Sequence, residues 1–246
     1  LSFLNRSASR RGDFIKTKPM PKTFVLSVGG SLIVTKEGIN VAFLKKFRSF
    51  VLEQLKSGNK FYLVIGGGST ARTYIKAALE VMPVNNTERD WVGIRATRLN
   101  AQLLKVTFGE AAYSLIVTNP TKSVKTRKKI VFAAGYKPGW STDHVAILLA
   151  KHNRIKTVIN LSNIDYAYDK DPRKFPKAKR IENIGWSEFR KIVGTRWQPG
   201  LNVPFDPIAS REAAKHGLQV VILNGQDLKN LGNCLSGQKF RGTTIR

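Results

Sequence analysis

Acidic residues are scarce in this chain. Its 246 residues include 16 Asp and Glu against 42 Lys and Arg, a formal charge of +26. A single cysteine, Cys234, excludes an intrachain disulfide and a cysteine-rich metal centre, and it fits a reducing compartment. The three histidines, His144, His152 and His216, stand at no metal-ligand spacing with one another or with Cys234. No apolar run approaches the roughly 18–20 residues of a membrane-spanning helix. The P-loop pattern G-x-x-x-x-G-K-[ST], the dinucleotide pattern G-x-G-x-x-G and the hydrolase elbow G-x-S-x-G are all missing, and there is no internal repeat. Zinc enzymes, disulfide scaffolds, serine hydrolases and helical membrane proteins drop out.

The charge itself draws phosphate-bearing partners. Yet the lysines are spread along the chain, and the denser stretches at 122–129 and 170–180 carry no RNA-binding signature, so nucleic acid is not expected as the primary partner. The first 21 residues differ from the rest: rich in Ser and Arg, without apolar periodicity, and punctuated by Pro19 and Pro21. They are expected to be a disordered basic extension, with an amphipathic transit peptide as the alternative and Met20 as the expected start of translation.

From residue 22 to 246, short apolar runs alternate with helical patterns. Strands are expected at Thr23–Val28, Phe61–Ile65, Tyr113–Thr118, Ile130–Ala134, Thr157–Leu161 and Gln219–Leu223. These are continuous Val/Ile/Leu/Phe runs, the mark of strands covered on both faces. Helices are expected over 41–57, where apolar residues fall at 44, 47, 51 and 55, and over 69–81. Another is expected over 87–108, with Trp91, Ile94, Leu99 and Leu103, and a fourth over 142–152. Asp206-Pro207 opens a further helix that Gly217 closes. The fold class that follows is α/β: a three-layer αβα sandwich with a mainly parallel central sheet, in one domain spanning 22–246. Excursions are expected at 108–129 and 194–204.

Four turns carry chemistry. Ser27-Val28-Gly29-Gly30-Ser31 closes the first strand, and paired glycines let backbone N–H groups approach an anion. Gly66-Gly67-Gly68-Ser69-Thr70-Ala71-Arg72 links the second strand to a helix whose N-terminus favours anions, with Arg72 one turn in. Gly135-Tyr136-Lys137-Pro138-Gly139-Trp140-Ser141-Thr142-Asp143 precedes another helix; Asp143 there either serves a ligand or complements the helix dipole. Finally Ser162-Asn163-Ile164-Asp165-Tyr166-Ala167-Tyr168-Asp169-Lys170-Asp171-Pro172 crowds carboxylates and rings at a strand end, where open α/β sheets bind ligands. Two glycine turns and a basic finger suit phosphoryl transfer, which needs positioning and charge neutralisation.

These residues resemble the amino-acid-kinase superfamily, most closely its archaeal-type uridylate (UMP) kinases. The resemblance rests on Val28-Gly29-Gly30-Ser31, Gly66-Gly67-Gly68 with Arg72, and Asp90-Trp91-Val92-Gly93-Ile94. It continues through Pro138-Gly139 with Ser141-Thr142-Asp143, Asn163-Ile164-Asp165 with Tyr168 and Asp171-Pro172, and on to Asp206-Pro207 and Gly242-Thr243-Thr244-Ile245. It implies a cytoplasmic enzyme of pyrimidine nucleotide synthesis, typically a homohexamer, that moves the γ-phosphoryl of Mg²⁺-ATP to UMP. It implies ATP contacts at Ser27, Val28, Gly29, Gly30, Ser31, Gly68, Arg72, Ser162, Asn163, Tyr168 and Asp171. UMP contacts are implied at Gly67, Asp90, Tyr136, Lys137, Pro138, Gly139, Trp140, Ser141 and Thr142, with Asp90 at the ribose. Asp143 and Arg72 take the catalytic roles, and no protein metal site is expected.

Three positions depart from the family pattern. Ser27 stands where many members have Lys, Tyr166 where most have Gly, and Trp140 where a smaller polar residue is usual. If the glycine at 166 uses a positive φ, Tyr166 strains its loop. Isopentenyl phosphate kinases carry a His soon after the glycine triplet, where this chain has Ser69-Thr70-Ala71-Arg72. Acetylglutamate kinase is the runner-up among enzymes. A non-catalytic nucleotide- or RNA-binding protein on this fold is the alternative outside them.

Overall fold

A computed structural model describes residues 22–172, 174–196 and 203–246. The expected basic extension and part of the excursion at 194–204 lie outside the described residues. The chain begins with β1 (Thr23–Val28), α1 (Gly30–Ile33), a ribbon of β2 (Val34–Thr35) and β3 (Gly38–Ile39), α2 (Val41–Lys56) and β4 (Lys60–Ile65). Then come α3 (Gly68–Val81), α4 (Asn86–Phe108), β5 (Ile130–Ala133), α5 (Thr142–His152) and β6 (Thr157–Ser162). Short strands β7 (Ala167–Tyr168), β8 (Arg180–Ile181) and β9 (Asn183–Ile184) precede α6 (Trp186–Val193) and α7 (Pro207–Lys215). The last elements are β10 (Gln219–Asn224), α8 (Leu228–Ser236) and β11 (Thr243–Ile245).

Seven strands form the sheet, in the order β5-β4-β1-β6-β10-β11-β9. The first five are parallel, and β11 runs antiparallel beside β10. The period-2 alternation of each strand feeds two separate cores. Phe24, Leu26 and Val28 of β1 join Phe47 of α2, Leu104 of α4 and Leu231 of α8 on one face. Val25 joins Val145 and Leu149 of α5, Phe189 of α6 and Ala213 of α7 on the other. The expected αβα layering is therefore present. Helix α5 is buried almost all round because α7 covers its outer side.

Two expectations fail in instructive ways. Tyr113–Thr118 forms no strand: only Ala112 and Val117 bridge to β5, and Leu115 between them turns out to solvent. Apolar content alone cannot make a ladder where the backbone bends away from its partner. Helix α4 exists, but its inward face is Ile94, Thr97, Ala101, Leu104 and Phe108, while Leu99 is 63% exposed. The polar residues Thr97 and Asn100 take inward positions because they hold loops.

Candidate active site

The two glycine turns interlock backbone to backbone at the carboxyl ends of neighbouring strands β1 and β4. Gly66 N–H donates to Val28 O at 3.0 Å, and Gly29 N–H to Leu161 O at 2.9 Å, which ties in β6. A Cβ on Gly30 would stand 2.1 Å from Gly68 N and 2.6 Å from Gly66 C, so only hydrogen fits. Gly68 takes φ +62, in the region that favours glycine. The structure brings Gly29, Gly30, Gly67, Gly68 and Ser31 together. The Val28 side chain is fully buried, which leaves only its backbone for a ligand.

Helix α4 holds the second turn from below. Asn100 Nδ2 donates to Gly66 O at 2.9 Å and to Gly67 O at 3.0 Å. One turn earlier, Thr97 Oγ1 accepts from Gly135 N at 2.8 Å, and Arg98 donates to Gly135 O and Tyr136 O, both at 3.2 Å. Asp90 completes the row, accepting from Gly139 N at 2.7 Å, where Gly139 takes φ +81. Burial raises the Asp90 carboxyl, against the lowering effects of the Gly139 N–H and Arg89. Sequence reasoning found Asp90 but missed Thr97, Arg98 and Asn100. The signal was two polar residues three apart, Thr97 and Asn100, on what should have been an apolar stripe.

Asp143 occupies the first turn of α5, but it faces the sheet. Its Oδ1 accepts from Ser27 Oγ and Asn160 Nδ2, both at 3.1 Å, and Oδ2 lies 3.4 Å from Asp206 N. Asp206 caps α7 through Ala209 N at 2.6 Å. Asp143 keeps some open surface, yet protein atoms surround its carboxyl. Burial first, and the Asp206 carboxylate second, push it up to about 7, against the hydrogen bonds from Ser27 and Asp206 N–H. The dipole-only reading of Asp143 does not account for this arrangement. The period of β1 places Ser27 on the α5 face, so its hydroxyl serves Asp143. Asn160 was hidden in an apolar strand, and Asp206 was read only as a cap.

The 135–142 loop carries an aromatic stack. Trp140 lies on His144 with centroids 4.4 Å apart, Tyr136 meets Trp140 edge-on, and Lys137 Nζ sits 4.7 Å from the Trp140 centroid. Burial holds His144 below its ordinary pKa, and its Nδ1 has no hydrogen-bond partner. Ser141 caps α5 by accepting from His144 N at 3.1 Å. Between this loop, α3 and α4 lies a cavity of about 430 Å³. Gly67, Asp90, Trp140, Ser141 and Thr142, all expected around one ligand, line it together with Gly68 and Arg72. A larger cavity of about 700 Å³, beside Lys105, Tyr113 and Arg127, shares no residue with the expected set.

The loop after β6 sits on adjoining strand ends. Gly225 N–H donates to Ser162 O at 2.8 Å, and Asn224 Nδ2 to Asp165 Oδ1 at 3.0 Å, so β6 and β10 end as one unit. Tyr168 pairs with Arg180 in the β7–β8 ribbon, and Asp171 O receives the N–H groups of Lys174 and Phe175. None of Ser162, Asn163, Tyr168 and Asp171 lines the 430 Å³ cavity. Tyr166 causes no backbone strain: Arg154 is the only non-glycine among the described residues with positive φ. Its ring instead lies under the Arg180 guanidinium at 5.3 Å.

Comparison with known proteins follows this geometry. The model of the amino acid kinase family matches residues 22–224. The uridylate kinase of Methanospirillum hungatei is 36% identical over 226 residues, covering 91% of this chain and 94% of the relative. That of Pyrococcus abyssi is 35% identical over 224 residues, covering 90% and 98%. The crystal structure of uridylate kinase from Archaeoglobus fulgidus superposes with a TM-score of 0.77 at 29% identity, over 91% of this chain and 99% of that one. The UMP kinase of Bacillus anthracis, at 18% identity and TM-score 0.74 over 92% and 96%, shares the fold.

Proposed function

We propose, from the premise that the chain belongs to the amino acid kinase family, that it is a uridylate kinase moving the γ-phosphoryl of ATP to UMP to give UDP and ADP. The observation that carries the reading is the cavity walled by Asp90, Trp140, Ser141 and Thr142 beside the interlocked glycine turns. UMP occupies that cavity, held by Gly67, Asp90 and the loop from Tyr136 to Thr142. ATP lies across the ends of β1, β6 and β10, on the Val28–Ser31 backbone, Gly68, Ser162, Asn163, Tyr168 and Asp171. Ser27 reaches the nucleotide through its main chain, since its hydroxyl is engaged with Asp143. Arg72, exposed at the cavity wall, faces both ligands at the transferring group.

Among the described residues no cluster of His, Cys, Asp and Glu could hold a metal alone. The neighbouring carboxylates of Asp143 and Asp206 are the acids that would help hold Mg²⁺ bound with ATP. Bound with ATP, Mg²⁺ would supply charge neutralisation on the phosphoryl oxygens. Asp143, oriented by Ser27 and Asn160, fixes where the cationic groups stand. The same reading carries a cytoplasmic homo-oligomer, sixfold by resemblance. The outer face of α3, which buries none of its residues and exposes Tyr74 and Val81, with Met82 exposed just beyond it, supports assembly.

A coupled ADP-release assay over UMP, CMP, acetylglutamate and isopentenyl phosphate tests the activity. ADP release that depends on UMP is expected; release driven best by acetylglutamate, or by no acceptor, would defeat the reading. Asp90→Asn is expected to raise the apparent KM for UMP about tenfold or more, because one oxygen holds Gly139 and the other is free for the acceptor. An equal rise in the KM for ATP would remove Asp90 from the acceptor side.

A further inference from the structure

The edge of the sheet opposite the glycine turns carries a row of cations. Lys129 precedes β5, Lys60 heads β4 and Lys156 precedes β6, with Thr23 of β1 between the last two. The ladder puts them in register: Thr23 pairs with Lys60, Phe61 with Ile130, and Val25 with Val158. By register Lys60 and Lys156 fall on the face covered by α5, Lys60 Nζ meeting Thr126 O at 3.4 Å, while the Lys129 ammonium reaches Leu55 O at the end of α2 at 3.5 Å. At about 4.8 Å per strand the row runs about 14 Å. Lys151 and Arg154, where α5 turns into β6, stand at the same edge of that face. Among the described residues no carboxylate pairs with any of these five.

Arg154 supplies an independent observation. It takes φ +56, a conformation strained for an L side chain. It closes α5 as Ile155 N–H reaches back to Ala150 O at 2.8 Å. Helix α7 ends at the same edge in the same way, with Leu218 N–H on Ala213 O at 3.0 Å, but there Gly217 takes φ +56. Glycine is the usual residue for this motif. An arginine in its place costs stability that glycine would not, and its side chain is exposed at this edge.

We propose that this edge binds the phosphate backbone of a nucleic acid, a function separate from phosphoryl transfer at the opposite edge. A linear row of cations without carboxylate partners matches a linear run of phosphates, about four of them at 3.4 Å in a stacked strand. Contacts of this kind carry no base preference. A membrane surface fits less well, since no large exposed apolar side chain lies in the turns that carry the row.

The test is fluorescence anisotropy of a labelled single-stranded 20-mer RNA with the full chain, from 50 to 200 mM salt. Five contacts predict a slope of log K against log salt near −3.5. The double variant Lys129→Gln/Lys156→Gln should bind at least tenfold more weakly at 100 mM salt, with a slope shallower by about 1.4. Arg154→Gly should weaken binding severalfold while raising Tm by a few degrees, so a loss of fold cannot explain its effect. Steady-state phosphorylation of UMP should be unchanged in both. Three results would overturn the proposal: equal weakening in the control Lys45→Gln/Lys46→Gln on α2, an Arg154→Gly variant that binds RNA like the parent, or tighter binding to phosphatidylserine vesicles through the same lysines.

Discussion

Asp143→Asn is expected to lower kcat by about 10²–10³-fold while leaving both KM values near those of the parent, and to stabilise the ligand-free protein above neutral pH. The first effect follows from charge: the amide keeps the shape and one acceptor oxygen but no longer fixes cations around the transferring group. The second follows from linkage. Burial and Asp206 raise the folded-state pKa to about 7, so between the ordinary carboxylate range and 7 the folded state holds the proton more tightly than the unfolded chain. Parent stability from this group is fully present below the ordinary carboxylate pKa and declines as pH rises to about 7, by at most about 4 kcal/mol. Asn does not titrate. Thermal melts of the two proteins should agree near pH 4 and separate by about 3–10 °C at pH 8, with the variant higher. A parent that melts higher than the variant at pH 8 would mean that the carboxyl is already compensated.

Gly30→Ala should be among the costliest single-methyl additions in the described residues. Its Cβ would meet the Gly68 nitrogen at 2.1 Å and the Gly66 carbonyl carbon at 2.6 Å, and both are backbone atoms that cannot swing aside. Relief requires β1 and β4 to part at their ends, which breaks both anion-binding turns and strains the hydrogen bonds from Asn100. We expect a loss of about 3 kcal/mol or more, a fall in Tm of about 6–12 °C, and no detectable turnover. Gly38→Ala, with open space around its Cβ though a positive φ, should lose stability without losing turnover. Ala at position 30 with normal turnover would show that the interlock is not needed for catalysis.

Strands β1, β4, β5, β6 and β10 were legible because each is a nearly unbroken apolar run, and helix α2 because its apolar spacing is regular; β9 and β11, two and three residues long, were too short to show. Tyr113–Thr118 misled for the same reason: it is apolar enough for a strand, but nothing local in the sequence says that Leu115 turns outward. The ligand turns could be read from glycines, whose placement reflects conformations other residues avoid. The support beneath them could not. Asn160 looks like a polar flaw in a core strand until Asp143 is seen 3.1 Å away, 17 residues back along the chain. Ser27 likewise looked like a missing lysine, and only the period of β1 reveals that its hydroxyl turns to the α5 layer. Long-range partners set these roles, and spacing along one chain does not encode them.

Helix α4 acts as a ruler. Asp90, Thr97, Arg98 and Asn100 grip three separate stretches of backbone, and they do so at fixed intervals along one rod. Inserting one residue between Asp90 and Thr97 would rotate Asp90 by about 100° relative to the others and slide it about 1.5 Å. Either Gly139 or Gly135 would then lose its partner. Residue identities on the outer side of this rod are free to drift, as exposed Leu99 and Val106 suggest. Its length is not, so natural insertions and deletions belong in the segments on either side, before Asn86 and after Phe108.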